Sequence, residues 1–273
     1  MPGKRVKKRR SWLPAVGLML VCTWLLSAPM RSAAADSPLS GAAAEPALPE
    51  QEPIVVQAVP DGSGPEDVAP SPQAFAPVPE SDAVDDTYFE DAAFLGDSRT
   101  EGFQLYSGLQ TGMYYDAVGA TVESVFTKDV ETDTGKMPLL DAMAGKEFGK
   151  IYVMLGVNEL GWNKVETFSG QYAKLVDRLR EDHPDAVVIL QSILPVSAKQ
   201  EEKKSYVNNA RIALYNEAIR RLAEEKGCPF VDVAEAVTDE SGCLRAEWNS
   251  DGVHLNVAGC QAWLAYLRTH PVK

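Results

Sequence analysis

The residue types that a serine nucleophile needs around it are present in this chain, in the order serine, aspartate, histidine. Ser98 follows a short apolar run in the segment FLGDSR at 94–99, and Asp251 precedes His254 by three residues in SDGVH at 250–254. A serine hydroxyl is a poor nucleophile at neutral pH, so it needs a base that takes its proton and an acid that orients the base. The pair at 251 and 254 is therefore the candidate partner of Ser98.

Two further short segments lie between these blocks. They are DAVGA at 116–120, which holds Gly119, and LGVNE at 155–159, which holds Asn158. Taken in order, the four blocks resemble those of the SGNH hydrolases, also called the GDSL esterase/lipase family, and the resemblance covers roughly residues 90–270.

The resemblance implies a role for each block. Ser98 would be the nucleophile, His254 the general base and Asp251 the residue that orients the histidine. The backbone N–H groups of Ser98 and Gly119 would form the oxyanion hole with the side chain of Asn158. Such donors stabilise the negative oxygen that develops during acyl transfer.

The sequence departs from the family pattern at two positions beside the predicted site. Arg99 stands where the family name implies leucine, and Glu159 follows Asn158 where the family usually has aspartate. We expect Arg99 and Glu159 to pair across the site or Arg99 to contact an anionic substrate, with a pair that only rigidifies the loops as the alternative. Trp162 and Trp248 flank the same blocks, as platforms for sugar rings or as core edges.

Charge is distributed unevenly along the 273 residues, whose formal net charge is −13. Residues 1–31 carry seven Lys/Arg and no acid, and no basic residue lies between Arg31 and Arg99. From residue 99 onward the acidic excess is modest. This distribution argues against a nucleic-acid partner, which would need a basic stripe. No Cys/His spacing predicts a metal site, and we expect no metal or other cofactor.

The N-terminal residues predict export. A basic cluster at 4–10 precedes an uncharged, mostly apolar run at 12–29, and the positive end of such a segment stays in the cytoplasm. The run is longer than the ~7–15 residues of a cleaved signal and near the ~18 of a membrane span. Residues 1–35 are therefore a signal peptide or an uncleaved anchor that contacts the membrane. Either places the remainder outside the cytoplasm, secreted or membrane-anchored.

The next segment, 36–86, holds ten of the 18 prolines, many alanines and no basic residue. Such a composition buries too little apolar surface to offset the entropy of ordering, which predicts a disordered linker. Residues 87–273 form the predicted hydrolase domain. Its three cysteines, Cys228, Cys243 and Cys260, cannot all pair within one chain, and the sequence does not say whether two of them form a disulfide.

Apolar runs and helical periodicities alternate through this domain. The alternation predicts the α/β class, a three-layer α/β/α sandwich with a five-stranded parallel sheet, flavodoxin-like as in the SGNH hydrolases. Ligands of such sheets bind beyond the carboxyl ends of the strands, where Ser98, Gly119 and Asn158 would converge. The predicted strands are 92–95, 114–118, 150–156, 186–192 and 229–233, and the predicted helices are 168–180, 207–226 and 257–268.

These observations predict an extracytoplasmic serine esterase. Its expected substrate is a small acyl ester, acetyl first, on a cell-wall or extracellular carbohydrate, cleaved through an acyl-serine intermediate. The same residues would also serve an O-acyltransferase, and the family resemblance extends to lipases and thioesterases. A carbohydrate-binding module without catalysis is the alternative from another class, and ester turnover would distinguish it.

Overall fold

The computed structural model describes residues 75–272 of the protein. The predicted signal or anchor at 1–35 lies outside the described residues, as does the predicted linker up to residue 74. Between residues 75 and 272, none of the helices combines the length and the apolar character that a membrane span requires.

Five parallel strands form the central sheet, which confirms the predicted α/β class. The strands of residues 75–272 are β1 Ala92–Gly96, β2 Met113–Asp116, β3 Asp129–Thr132, β4 Gly135–Pro138, β5 Lys150–Met154, β6 Val187–Gln191 and β7 Phe230–Val231. The sheet order is β2-β1-β5-β6-β7. The chain thus leaves β1 toward one neighbour and later returns to its other side, and ligands of open α/β sheets bind at this reversal of strand order.

Helices cover both faces of the sheet. Successive residues of a strand point to opposite faces, so Ala93 and Leu95 enter one apolar core while Phe94 enters the other. Because both faces are covered, the central strands are apolar along nearly all of their length. The helices are α1 Ser98–Tyr106, α2 Val165–Asp182, α3 Ala198–Glu201, α4 Asn209–Lys226, α5 Ala234–Val237 and α6 Val257–Thr269. Side chains of α2 and α4 pack in the first core, and those of α1, α5 and α6 in the second.

Strand register brings three chain segments to the same height. Gly96 at the end of β1 lies opposite Asp116, the last residue of β2, and opposite Met154, the last residue of β5. The segments that follow these three residues therefore leave one edge of the sheet together.

A β-hairpin between β2 and β5 was not predicted. Strands β3 and β4 pair antiparallel, from Asp129 opposite Pro138 to Thr132 opposite Gly135. Their side chains are mostly polar and exposed or half-buried, so the pair lacks the apolar signal that marked the central strands. The predicted strand at 114–118 also ends earlier, at Asp116, because the chain turns there.

The predicted linker ends earlier than residue 86. The backbone N–H of Val78 donates to the carbonyl of Phe230 over 2.8 Å, and Val84 donates to Arg268 over 2.9 Å. Phe75 packs against the first core, and Val78 and Val84 pack against the second. A few apolar residues are enough to bind residues 75–86 to the domain. The average composition of the segment does not reveal them, because prolines and acidic residues surround them.

All three cysteines of the described domain are free thiols. Cys228 and Cys260 are buried and Cys243 is half-buried. Burial raises the pKa of Cys260 to about 12, so this thiol stays protonated and unreactive at neutral pH.

Candidate active site

Ser98 is held at the junction of β1 and α1. Asp97 caps α1, and its Oδ1 accepts the backbone N–H of Arg99 over 2.9 Å. A Cβ on Gly96 would lie 2.7 Å from the carbonyl oxygen of Met154 and closer still to the Thr100 side chain, so only glycine fits here. The tight turn places Ser98 at the first position of the helix, where backbone N–H groups have no partner within the helix.

Ser98, His254 and Asp251 form a continuous chain of hydrogen-bonding groups. Ser98 Oγ lies 2.9 Å from His254 Nε2, and His254 Nδ1 lies 2.8 Å from Asp251 Oδ2. The other carboxylate oxygen of Asp251 accepts the backbone N–H groups of Val253 and His254 over 2.9 and 2.8 Å. The loop thus fixes both partners, and the imidazole can accept the serine proton on one nitrogen while the carboxylate orients the other.

The carboxylate of Asp251 is stabilised in its charged form. Partial burial alone would raise its pKa, but the hydrogen bonds from His254 and Val253 outweigh this and lower the pKa to about 2. Asp251 is therefore an anion at neutral pH, as a group that stabilises a protonated histidine must be.

Gly119 lies in a tight turn directly after β2. The backbone N–H of Ala120 donates to the carbonyl of Ala117 over 2.9 Å, and Gly119 has a φ of +71°. Asn158, which follows β5, donates one N–H of its side chain to the carbonyl of Ala120 over 2.8 Å. Within residues 75–272, no hydrogen bond occupies the N–H of Gly119 or the second N–H of the Asn158 amide.

One cavity of about 630 Å³ is lined by four of the predicted site residues. Ser98, Gly119, Asn158 and His254 contribute its polar groups, together with Glu101, Gln200 and Ser250. Two unoccupied N–H donors and a serine paired with a histidine thus share one open space. Such a constellation can hold a carbonyl carbon at the serine and stabilise its oxygen as charge develops.

Large apolar side chains form the rim of the cavity, and the sequence analysis missed them. Leu105 is 62% exposed, Tyr106 46%, Val118 63% and Tyr206 58%, and all four line the cavity. The sequence gives little signal for them, because an apolar residue is recognised as exposed only once the packing of its segment is known. We call these four residues the apolar rim.

The expected roles of Arg99 and Glu159 at the substrate are wrong. Arg99 is buried, and its Nη1 donates to the carbonyl of Leu194 over 2.7 Å. Glu159 is fully buried, and its Oε1 accepts the backbone N–H of Val122 over 2.7 Å. Among the ion pairs of residues 75–272 none joins Arg99 to Glu159, and neither side chain lines the cavity. Both point into the protein, Glu159 toward the segment that follows Gly119 and Arg99 toward the segment that follows β6.

Burial also shifts the titration of these two groups. It lowers the pKa of Arg99 to about 10, although the charges of Asp97 and Asp251 oppose the shift, so Arg99 stays charged at neutral pH. Burial raises the pKa of Glu159 to about 8, against the hydrogen bond from Val122, and the nearby charge of Asp97 raises it further. Glu159 is therefore mostly protonated at neutral pH.

Neither tryptophan lies in the cavity. Trp162 is half-buried against the first core and lines a separate shallow depression with Asn163 and Lys164. Trp248 packs against the second core, and the guanidinium of Arg245 lies 5.0 Å from its ring centre. Both tryptophans thus pack at core edges, which is the second of the two expected arrangements, and neither lines the cavity as a sugar platform would. Among residues 75–272, no three His, Cys, Asp or Glu side chains gather as metal ligands.

Comparison with known proteins agrees with the family resemblance of the four sequence blocks. Residues 94–262 match the model of the GDSL-like Lipase/Acylhydrolase family. A protein from Streptococcus pneumonia provisionally named a platelet activating factor is 27% identical, with a TM-score of 0.55 over 65% of this chain and 81% of that one. Comparison with curated proteins gives no match.

Two more distant structures share the fold. A GDSL-like lipase from Bacteroides thetaiotaomicron is 19% identical, with a TM-score of 0.51 over 66% of this chain and 87% of that one. Axe2, an acetylxylan esterase from Geobacillus stearothermophilus, is 17% identical, with a TM-score of 0.50 over 67% and 95% of the two chains. At these identities the similarity shows the fold alone.

The raised pKa of Glu159 predicts a pH-dependent stability that Glu159→Gln should remove. The folded pKa of about 8 lies above the usual 4.5, so between these values the folded state holds a proton that the unfolded state has lost. The contribution of Glu159 to the free energy of unfolding is therefore fully present below pH 4.5 and declines as pH rises toward 8. Urea unfolding at pH 5 and pH 8 should show a decline on the order of a few kcal/mol that is smaller in the variant.

Glutamine keeps the oxygen that accepts the Val122 N–H, so the variant tests ionisation more than the hydrogen bond. Glu166→Gln, at an exposed position of α2, is the matched control and should leave the pH dependence as in the wild type. Equal pH dependence in the wild type and Glu159→Gln would contradict a buried, protonated Glu159.

Proposed function

The chain belongs to the GDSL-like lipase/acylhydrolase family and is a hydrolase of ester bonds, and we propose that it cleaves small acyl esters, acetyl esters first, through an acyl-serine intermediate. The observation that carries this proposal is the hydrogen-bonded chain from Ser98 through His254 to Asp251, with distances of 2.9 and 2.8 Å. Ser98 and His254 line a cavity that Gly119 and Asn158 also line.

In the first half of the reaction, Ser98 Oγ bonds to the ester carbonyl carbon while its proton passes to His254 Nε2. The carbonyl oxygen becomes negative and accepts hydrogen bonds from the N–H groups of Ser98 and Gly119 and from the Asn158 amide. Protonated His254, stabilised by the carboxylate of Asp251, gives its proton to the leaving alcohol. The carbon–oxygen bond of the ester breaks, and the acyl group stays on Ser98.

In the second half, water releases the acyl group. His254 takes a proton from the water, the water oxygen bonds to the acyl carbon, and the bond to Ser98 Oγ breaks as the proton returns to the serine. The side chains of His254 and Asp251 are 40% and 56% exposed, so water reaches the base directly. This exposure favours hydrolysis over transfer to a second hydroxyl, which requires that water be kept out of the cavity.

The proposed acceptor of the acyl group is an extracellular carbohydrate, and support for it comes from the sequence. An export-type N-terminus followed by a long proline-rich segment would place the hydrolase at the cell surface, where acetylated polymers occur. The tryptophans give no support, because they lie outside the cavity.

A second candidate substrate is an ester with a longer acyl chain. The apolar rim supports it, because each methylene that leaves water for such a surface contributes ~0.8 kcal/mol. Four large apolar side chains around one open cavity are more than a methyl group needs.

Ser98→Ala should reduce hydrolysis of an aryl acetate by at least about a thousandfold, because neither His254 nor Asp251 can take the place of Ser98 in the acyl intermediate. It should also abolish labelling by a fluorophosphonate, with the circular dichroism spectrum unchanged. Ser241→Ala, at an exposed serine outside the cavity, should keep both properties. Equal labelling of the wild type and Ser98→Ala would reject Ser98 as nucleophile.

A series of p-nitrophenyl esters from acetate to octanoate separates the two substrate candidates. A site for acetyl groups should give kcat/KM values that fall as the chain lengthens. If the apolar rim binds the acyl chain, kcat/KM should rise by up to about fourfold for each methylene. Leu105→Ser should then reduce turnover of the long esters more than that of the acetate.

Leu214→Ser is the control for this series, because Leu214 is exposed to a similar degree but lies on α4 outside the cavity. A rise with chain length that Leu105→Ser leaves intact would contradict binding at the apolar rim.

Export is tested by expressing the full chain in a bacterium and fractionating the cells. We expect the protein outside the cytoplasm, and its mass distinguishes a cleaved signal from a retained anchor. Leu20→Arg places a charge in the apolar run, which costs ~2.5–3.5 kcal/mol in a membrane segment and should retain protein in the cytoplasm. Cytoplasmic wild-type protein would argue against the proposed location.

A further inference from the structure

The peptide bond between Val118 and Gly119 decides where one oxyanion donor points. It is the central peptide of the turn from Ala117 to Ala120, which is closed by the 2.9 Å hydrogen bond between the end residues. Gly119, the third residue of the turn, has a positive φ, and Val118 does not. This is the pattern of a type II turn, which differs from type I by a flip of the central peptide.

A flipped central peptide would reverse the chemistry of the site. In a trans peptide the carbonyl and the N–H point in opposite directions. In the observed turn the Gly119 N–H is one of the unoccupied donors at the cavity. In a flipped turn, the carbonyl oxygen of Val118 would take its place and face a developing negative charge. The site therefore needs the carbonyl of Val118 to be held on the far side.

Lys128 contacts that carbonyl. Its Nζ donates to the oxygen of Val118 over 2.7 Å, and Lys128 is not among the residues that line the cavity. The carbonyl of Val118 points toward Lys128, and the N–H of Gly119, which belongs to the same peptide, therefore points away from Lys128. A Cβ on Gly119 would lie 3.9 Å from Lys128 Nζ, so the ammonium group also adds positive charge close to this turn.

Hydrogen bonds from the segments on both sides of the hairpin fix the backbone of Lys128. The backbone N–H of Lys128 donates to the carbonyl of Ser124 over 2.7 Å, and its carbonyl accepts the N–H of Leu139 over 3.0 Å. Ser124 begins a short 3-10 helix, and Leu139 directly follows β4. Lys128 is thus anchored at the base of the β3–β4 hairpin, which gives this polar hairpin a role in the site.

We propose that Lys128 is a positioning residue for the oxyanion hole, which holds the Val118–Gly119 peptide so that the Gly119 N–H faces the reacting carbonyl. The inference rests on the proposed function. Lys128 touches no substrate and acts through Gly119. Its loss should therefore slow the chemical step and leave substrate binding nearly unchanged, because an oxyanion donor acts mainly in the transition state.

The test compares three variants of the full-length protein on p-nitrophenyl acetate. Lys128→Met removes the donor and should lower kcat by about tenfold with KM changed less than twofold, a fraction of the 10²–10³ expected for complete loss of a donor. Lys128→Arg keeps a donor of similar reach and should recover most of kcat. Lys136→Met removes a lysine of the same hairpin that pairs with Glu131, and it should match the wild type.

A second measurement separates positioning from a general loss of stability. In Gly119→Ala, whose side chain disfavours the positive φ, the turn is already perturbed. Adding Lys128→Met to this variant should then reduce kcat less than twofold further. Equal tenfold losses in both backgrounds, or a Lys128→Met effect confined to KM, would overturn the inference.

The result also distinguishes failure of the inference from failure of the proposed function. An active wild type labelled at Ser98, with unchanged kcat in Lys128→Met, would overturn only the role of Lys128. A wild type that neither turns over the ester nor reacts with a fluorophosphonate would overturn both.

Discussion

Backbone pairing between three parallel strands is the constraint on which the candidate site depends. The ends of β1, β2 and β5 are level because Gly96 is paired with both Asp116 and Met154. Ser98, Gly119 and Asn158 each follow one of these ends by a few residues. A shift of register by two residues would move a strand end by about 7 Å, more than twice the length of a hydrogen bond. The apolar cores on both faces oppose such a shift, because it would carry apolar side chains of the strand out of the positions that they fill in the cores.

Two polar side chains after β5, exposed Asn158 and buried Glu159, extend this precision from the sheet to the loops. Asn158 binds the carbonyl of Ala120, and its neighbour Glu159 binds the N–H of Val122, so two consecutive residues after β5 hold the segment after β2. The protonation of Glu159 has an electrostatic consequence. A neutral carboxyl below the site adds no negative charge near the place where an oxyanion would form, whereas its oxygen still accepts the Val122 N–H.

The cavity is lined by both polar groups and exposed apolar side chains. Its polar groups include those of Ser98, Asn158 and His254, and the exposed side chains of the apolar rim line it as well. The side chains of His254 and Asp251 are partly exposed, which gives water a direct path to the imidazole. Polar donors and exposed apolar surface thus share one cavity.

The sequence alone was enough to predict the fold class, the family and the residues that meet at the cavity. Apolar runs covered on both faces mark parallel strands, and polar residues after three such runs converge wherever the strands are parallel. Only the tertiary structure decided what the neighbours do. Arg99 and Glu159 stand beside the nucleophile and Asn158 in sequence but point inward, because a helix and a loop turn adjacent side chains in different directions. Trp162 and Trp248 are close in sequence to the site and lie outside its cavity for the same reason.

The contribution of the hairpin was also decided by tertiary structure. Its residues have too little apolar character to mark strands, and Lys128 has no distinguishing neighbour in sequence. Its contact with Val118, ten residues away, exists only after the turn and the hairpin have both formed. Sequence patterns report what a segment buries, and so they identify strands and helices. The direction of a side chain or of one peptide bond depends on contacts that exist only once the segments have packed together.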